Sequence, residues 1–285
     1  MCLHFHEQCV VRQTSSPVGF PALWICAFVS ISIALPTLAF ARDLRVCADP
    51  DNLPFSNTKQ QGFENRIADL VARDVHAHLT YQWQRMGRGF VREYLDSGKC
   101  DLLIGIPSVF RAVLTTTPYY RSTYVFVTRR DGRFQLASLD DPALHHLKIG
   151  VQVLEEDFTP PATALARRGL QNEIVAFDDT GEDADSIVRA VADQKIDTAI
   201  VWGPLAGYFS QKFGNALRLT PLSPEVDPPA LPFTFTISMG VRKTNAALRE
   251  ELEGVLQRHR TEIREILNQY GVPQLEFAST AEGAN

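Results

Sequence analysis

The chain has 285 residues, with 28 lysines and arginines against 33 aspartates and glutamates, for a net charge of -5. That acidic balance argues against a nucleic-acid partner. A hydrophobic share of 45% over this length supports one large domain or two modest lobes.

The first feature along the chain is a 14-residue apolar stretch, Ala22 to Leu35, "ALWICAFVSISIAL". It is followed by Ala39-Phe40-Ala41, a small-x-small cleavage pattern. A spanning helix needs about 18 or more such residues. Residues 1–41 therefore read as a secretory signal peptide cut after Ala41, which places the remainder in the periplasm. An uncleaved anchor is the alternative, since the leading region is long and carries Arg12 against Glu7. Removing that pair leaves the net charge unchanged, and no later segment is apolar enough to span a membrane. Of five cysteines, Cys2, Cys9 and Cys26 leave with the signal. Cys47 and Cys100 remain, and an oxidising compartment permits them to pair if their Cα atoms come within about 7 Å.

From Leu44 the pattern alternates strand and helix. "LRVCAD" is followed by a helix from about Glu64 to Ala77, with Phe63, Ile67, Leu70, Val71 and Val75 at helical spacing. Then come "LTYQWQ", a helix from about Phe90 to Ser97, and "CDLLIGI". Such steps imply a parallel sheet with right-handed crossovers. "YYRSTYVFVTRR" is a long β-prone run, after which a second α/β series begins at "LKIGVQV". It continues through a helix opened by Pro160-Pro161, "EIVAF", a helix near Asp185 to Asp193, and "DTAIV". A second β-prone run, "FTFTISMGVRK", precedes one long amphipathic helix carrying Leu248, Leu252, Val255, Ile263, Ile266 and Tyr270. Gly271 and Pro273 stop it.

This order predicts an α/β fold of two lobes joined by two crossover strands. The first lobe takes 42–126 and 234–285, and the second takes 127–233. The cleft lies between them, lined by loops at the carboxyl ends of parallel strands. One such corner, Asp-Pro-Asp-Asn-Leu-Pro after the first strand, has prolines to fix the turn and acids or amides to cap the next element. A plain surface turn is the alternative.

The motifs "LRVCADPDNLPFS", "GFENRIADLVA", "SGKCDLLIGI", "TPYYRSTYVFV" and "KIDTAIVWGPLAGYF" resemble the periplasmic solute-binding family that includes the polar amino acid binders. The resemblance covers nearly all of the chain after residue 41 and implies the type II periplasmic-binding-protein fold. In that family an aromatic follows the first strand, and Asn52 stands here. An Arg after the third strand clamps the ligand carboxylate, and Arg111 sits a residue or two late. An acid after the second-lobe strand holds the ligand ammonium, and Trp202 takes that place. Losing one such charged contact costs roughly ten- to a hundred-fold in affinity, so an ordinary amino-acid site is not expected.

A narrower resemblance rests on "VCADPDNLPFSN", "RGFVREYL", "LTTTPYYRSTYVFVTRRD", "LDDPAL", "PPATALARRG" and "IVWGPLAGYF". These look like the protein-J members of bacterial methanol oxidation systems, the MoxJ and XoxJ group, which accompany PQQ-dependent alcohol dehydrogenases. The implied role is accessory to the dehydrogenase; such proteins are commonly named putative ABC-transporter substrate-binding proteins. The acidic stretch "FDDTGEDADS" departs from the longer Tyr-, Gly- and Pro-containing loop of that group.

The candidate ligand or partner cleft comprises Asp49, Asn52, Phe55, Arg88, Ile106, Arg111, Tyr120, Gln152, Trp202 and Tyr208. Trp202 suits a ligand platform, a partner anchor or packing between lobes. Alternation places Tyr120 and Tyr124 on one strand face. His76 with His78, and His145 with His146, lack ligand spacing and read as solvated surface. No Ser-His-Asp set, Cys-His pair, phosphate-binding glycine loop or metal signature stands in the sequence. Some proteins on this scaffold are dehydratases, for which Asp49 or Arg88 would be the acid or base. Two acids near a turn serve equally as caps, so neither catalysis nor a cofactor is expected. The alternative function is a conventional ABC-importer receptor for a small solute.

Overall fold

The computed structural model describes residues 42–85, 87, 89–154, 157–178 and 181–277. The signal-peptide reading of 1–41 and the candidate residue Arg88 fall outside the described residues. Among those described, no helix is long and apolar enough to cross a membrane.

Among the described residues, nine strands of four residues or more build the frame: β1 (Asp43–Ala48), β2 (His78–Trp83), β3 (Leu102–Pro107), β4 (Tyr120–Arg129), β5 (Ile149–Leu154), β6 (Ile174–Phe177), β7 (Thr198–Trp202), β8 (Leu217–Pro221) and β9 (Thr234–Val241). The main path through the sheet runs β6-β5-β7-β4-β9-β3-β1-β2, with β8 beside β4. β1 pairs in parallel with β2 and β3, and β5 pairs in parallel with β6 and β7. Two parallel units therefore stand at the two ends of the path. The antiparallel strands β4 and β9 join them. Tyr120–Thr123 of β4 faces Thr234–Ile237 of β9, whereas Tyr124–Thr128 faces Thr198–Trp202 of β7. β4 changes partner between Thr123 and Tyr124, as expected of a two-lobe fold with two crossing strands.

Helix α1 (Phe63–Asp74) forms where expected because Phe63, Ile67, Leu70 and Val71 share one face, each at most 2% exposed. Each such side chain contributes about 1.5–3 kcal/mol on burial. With α5 (Ala246–Arg258) and α6 (Arg260–Gln269) it covers a core that includes Val46, Ile104 and Met239. A second core gathers Phe126, Ile149 and Ile200 with Leu165 of α2 (Pro160–Arg167). A third packs α3 (Ser186–Ala192) and α4 (Gly203–Ser210) over Val127 and Val201.

The terminal helix differs from the single long one that the periodicity predicts. It breaks at His259, whose φ of -105° and ψ of 18° leave the helical region. Arg258 and His259 both turn to Asp74 at the end of α1, with His259 Nε2 at 2.8 Å from Asp74 Oδ1. Apolar spacing continues across the elbow, so the pattern alone did not mark it. The expected helix near Phe90 is a short π-type turn, Val91–Asp96.

Cys47 of β1 and Cys100, just before β3, form a disulfide with Cα atoms 5.5 Å apart. Both sulfurs lie in a small core with Phe90, Leu95 and Leu103. Closing a loop between residues 53 apart removes chain entropy equivalent to about 4 kcal/mol in the entropic model.

Candidate functional site

The Asp-Pro-Asp-Asn-Leu-Pro corner determines how α1 enters the molecule. The Pro54 and Phe55 carbonyls accept the Phe63 and Glu64 backbone N–H groups, both at 2.9 Å, satisfying two donors that a helix start leaves open. Asn65 Oδ1 reaches back to accept the Gly62 N–H at 3.1 Å and also accepts the Asn57 N–H at 3.2 Å. Gly62 is required here because a Cβ would overlap the Phe55 carbonyl. The corner so held presents Asn52 and Phe55 to a cavity and aims Glu64 inward from the first turn of α1.

That cavity has a volume of about 350 Å³, within the range of small-molecule sites. It lies where β4 exchanges β9 for β7. Tyr120, Tyr124, Trp202, Phe235 and Ile237 wall it with Phe55, Pro107 and Leu205, while Asn52, Glu64, Gln152 and Thr159 supply the polar groups. No lysine, arginine or histidine is among the described lining residues. Trp202 meets Tyr124 edge-on at 5.4 Å between ring centroids and Phe235 at 5.7 Å. Its backbone N–H donates to Gln152 Oε1 at 2.9 Å, and the Thr159 hydroxyl donates to the Gln152 carbonyl at 3.0 Å. These bonds fix β5 against the start of α4. Gly203 allows α4 to begin hard against β4, since a Cβ there would stand 2.6 Å from the Thr123 carbonyl oxygen.

Five of the ten candidates line this cavity: Asn52, Phe55, Tyr120, Gln152 and Trp202. Asp49 is half-buried beside it, its Oδ1 accepting the Asp51 N–H at 3.0 Å. Ile106 points to the other face of β3, into a separate recess with Phe90 and Leu103. Arg111 is exposed. Tyr208 stacks on Tyr270 at 5.6 Å, and Arg88 lies outside the described residues. His76, His78, His145 and His146 are exposed.

The residue that sequence reasoning missed is Glu64. The loss of an acid at Trp202 led to the expectation of a cleft without its usual ammonium-holding acid, with Asp49 as the acidic candidate, yet Glu64 is only 6% exposed and lines the cavity. Its carboxyl rests on Gly105 of β3, where a Cβ would overlap Oε1 and stand 2.9 Å from Cδ. Burial, with the Asp49 carboxylate as a smaller contribution, raises its pKa from 4.5 to about 8. Tyr119 and Tyr120 are likewise raised well above the ordinary phenol value, first by burial and then by neighbouring negative charge.

Comparison with known proteins places this geometry. The family model of the bacterial extracellular solute-binding proteins, family 3, matches residues 44–273. The chain belongs to that family. It is 32% identical over 262 residues to protein MoxJ of Paracoccus denitrificans, covering 86% of this chain and 94% of the relative. Among solved structures it is similar to MxaJ from Methlophaga aminisulfidivorans MPT, with a TM-score of 0.73 and 25% identity over 81% of this chain and all of that one. It is also similar to the periplasmic binding protein XoxJ from Methylobacterium extorquens AM1, with a TM-score of 0.68 and 38% identity, covering 82% of this chain and all of XoxJ. The type II binding-protein fold and the likeness to the MoxJ and XoxJ group both follow. In this family 3 member, the second parallel unit ends its cleft strand with an indole.

Proposed function

We propose that this family 3 protein, freed of residues 1–41, works in the periplasm as a non-catalytic accessory protein that docks to a PQQ-dependent alcohol dehydrogenase. The observation that carries the reading is Trp202 at the end of β7, facing a ring-lined cavity with no described cationic side chain. An amino acid receptor needs a grip for both the ammonium and the carboxylate, and those groups are not paired here. The likeness to MoxJ, MxaJ and XoxJ supplies the partner class. We take the lobes as 42–126 with 234–285, and 127–233, in keeping with the partner change along β4.

Calorimetric titration of the exported chain into the dehydrogenase, with and without its quinone, tests the proposal. Saturable binding to either form is the expected result. Absence of heat and of co-elution with both forms refutes docking.

The second reading is an importer receptor closing over a small solute. The cavity itself favours it, because a surface used only for docking has no need of a buried carboxyl aimed into a ring-lined recess. A receptor requires a ligand that raises the thermal midpoint.

A further inference from the structure

Glu64 is an expensive residue in this position. A first-turn acid gains from the helix N-terminus when it is solvated or paired, but this one is turned into the protein, away from water. A glutamine of the same shape would fill the space without the cost of desolvating a charge. The space for the carboxyl is itself built, since Gly105 interrupts the apolar run of β3 where any Cβ would displace it. The ionisable or charged groups facing Glu64 are Asp49 from the corner after β1, Tyr81 from β2, and Tyr119 and Tyr120 at the start of β4. Each is an acid, and none supplies a positive charge. Across the cavity stand the rings of Tyr124, Trp202 and Phe235. Indole and phenol faces attract cations, Trp most strongly, and a ring cage beside a carboxylate is a general solution for holding an organic ammonium.

We propose that this cleft binds a small organic monocation, an alkyl- or arylalkylammonium lacking a carboxylate, with the ammonium at Glu64 and the apolar body against Trp202, Tyr124 and Phe235. A ligand carboxylate is disfavoured because it would enter a cavity holding Glu64, with Asp49 beside it, and no described cation. A neutral alcohol can hydrogen-bond the protonated carboxyl, but it gains neither the ion pair with ionised Glu64 nor the attraction of the ring faces for a cation. Since the empty site keeps Glu64 protonated near neutral pH, cation binding expels that proton. Affinity therefore rises with pH towards about 8, where the carboxyl ionises by itself.

Three matched probes test the site: benzylammonium, benzyl alcohol and phenylglycine, the last being benzylammonium with a carboxylate added at the amine carbon. Calorimetry on the exported chain should give one saturable site for benzylammonium, with the other two bound ten- to a hundred-fold more weakly. Heats measured at pH 7 in buffers of different ionisation enthalpy should report proton release approaching one per ligand. Glu64→Gln should lose ten-fold or more and abolish the proton release; Gly105→Ala, which displaces the carboxyl, should lose affinity while leaving Glu64 present. Failure of benzylammonium to bind, equal affinity for benzyl alcohol, or unchanged affinity in a folded Glu64→Gln variant overturns the proposal. If a variant does not fold, the three-probe comparison on the unmodified protein decides alone. No dehydrogenase enters these measurements, so their failure is distinct from a failure of docking.

Discussion

Glu64 shows how far a side chain's meaning depends on what lies across from it. Within "GFENRIADL" it reads as an ordinary first-turn acid, because helix starts favour carboxylates and the apolar face belongs to Phe63, Ile67, Leu70 and Val71. Its inward direction is set by Gly62 and Gly105, two positions where a Cβ would collide. Gly105, within the apolar strand "LLIGI", is the signal that could have pointed to the site, since a glycine inside a strand marks a close approach. Ile106 escapes simple alternation: it shares the opposite recess with Leu103, three residues away, because the pairing of β3 with β9 shifts register between Ser238 and Gly240. The raised pKa gives a stability test. Between pH 4.5 and about 8 the folded protein retains a proton that the unfolded chain has released, so stability falls as pH rises across that window. Denaturation of the unmodified protein and of Glu64→Gln at several pH values should show the difference declining by on the order of 3 kcal/mol from pH 4.5 to 8. A constant difference would mean that Glu64 titrates as an exposed carboxyl.

The elements were legible where one face is apolar and the ends are punctuated, as in α1, α2 after Pro160-Pro161, and the β1 to β3 series. Legibility failed at the α5–α6 elbow because its cause is a long-range contact. Asp74 is held well below the ordinary carboxylate range, down to about 2, first by its hydrogen bonds from Arg258 and then by those from His259. His259 is raised above 6.5, chiefly by Asp74. The Asp74 contribution is present above its unfolded value of 3.8 and is lost as pH falls towards 2. The His259 contribution is fully present below 6.5 and is lost as pH rises through the raised value. Replacing Asp74 with Asn should therefore lower the thermal midpoint by about 2 °C near pH 5, the discount reflecting an exposed Arg258. The effect should shrink as pH falls from about 4 towards 2, and only in part above 6.5, where the His259 share is lost while Arg258 stays charged. A loss of the same size at pH 2 and pH 5 would show that Asp74 acts by shape and not by charge.

Over the whole molecule, the order of α/β unit, β-rich crossing, second α/β unit and return crossing was enough to give the fold, because each parallel unit must be completed locally. The cavity was not, because it forms where β4 leaves β9 for β7 and draws on residues as distant in sequence as Asn52 and Phe235. Trp202 and Phe235 have a further property there. Among the partly buried hydrophobic residues, these two pack against both the α1–α5–α6 core and the Phe126–Ile149–Leu165 core. Cooperative unfolding of two parallel units requires apolar surface that both lose together. If Trp202 supplies that coupling, Trp202→Ala should do more than lower stability by about 1–3 kcal/mol, the cost of removing part of a half-buried aromatic. It should also separate the transitions, so that scanning calorimetry resolves two steps and far-UV dichroism no longer coincides with tyrosine fluorescence in urea. Phe235→Leu, which keeps apolar bulk at the junction, should preserve a single transition. One sharp transition in the Trp202→Ala variant would assign the indole to the cavity alone, leaving the two crossing strands to couple the halves.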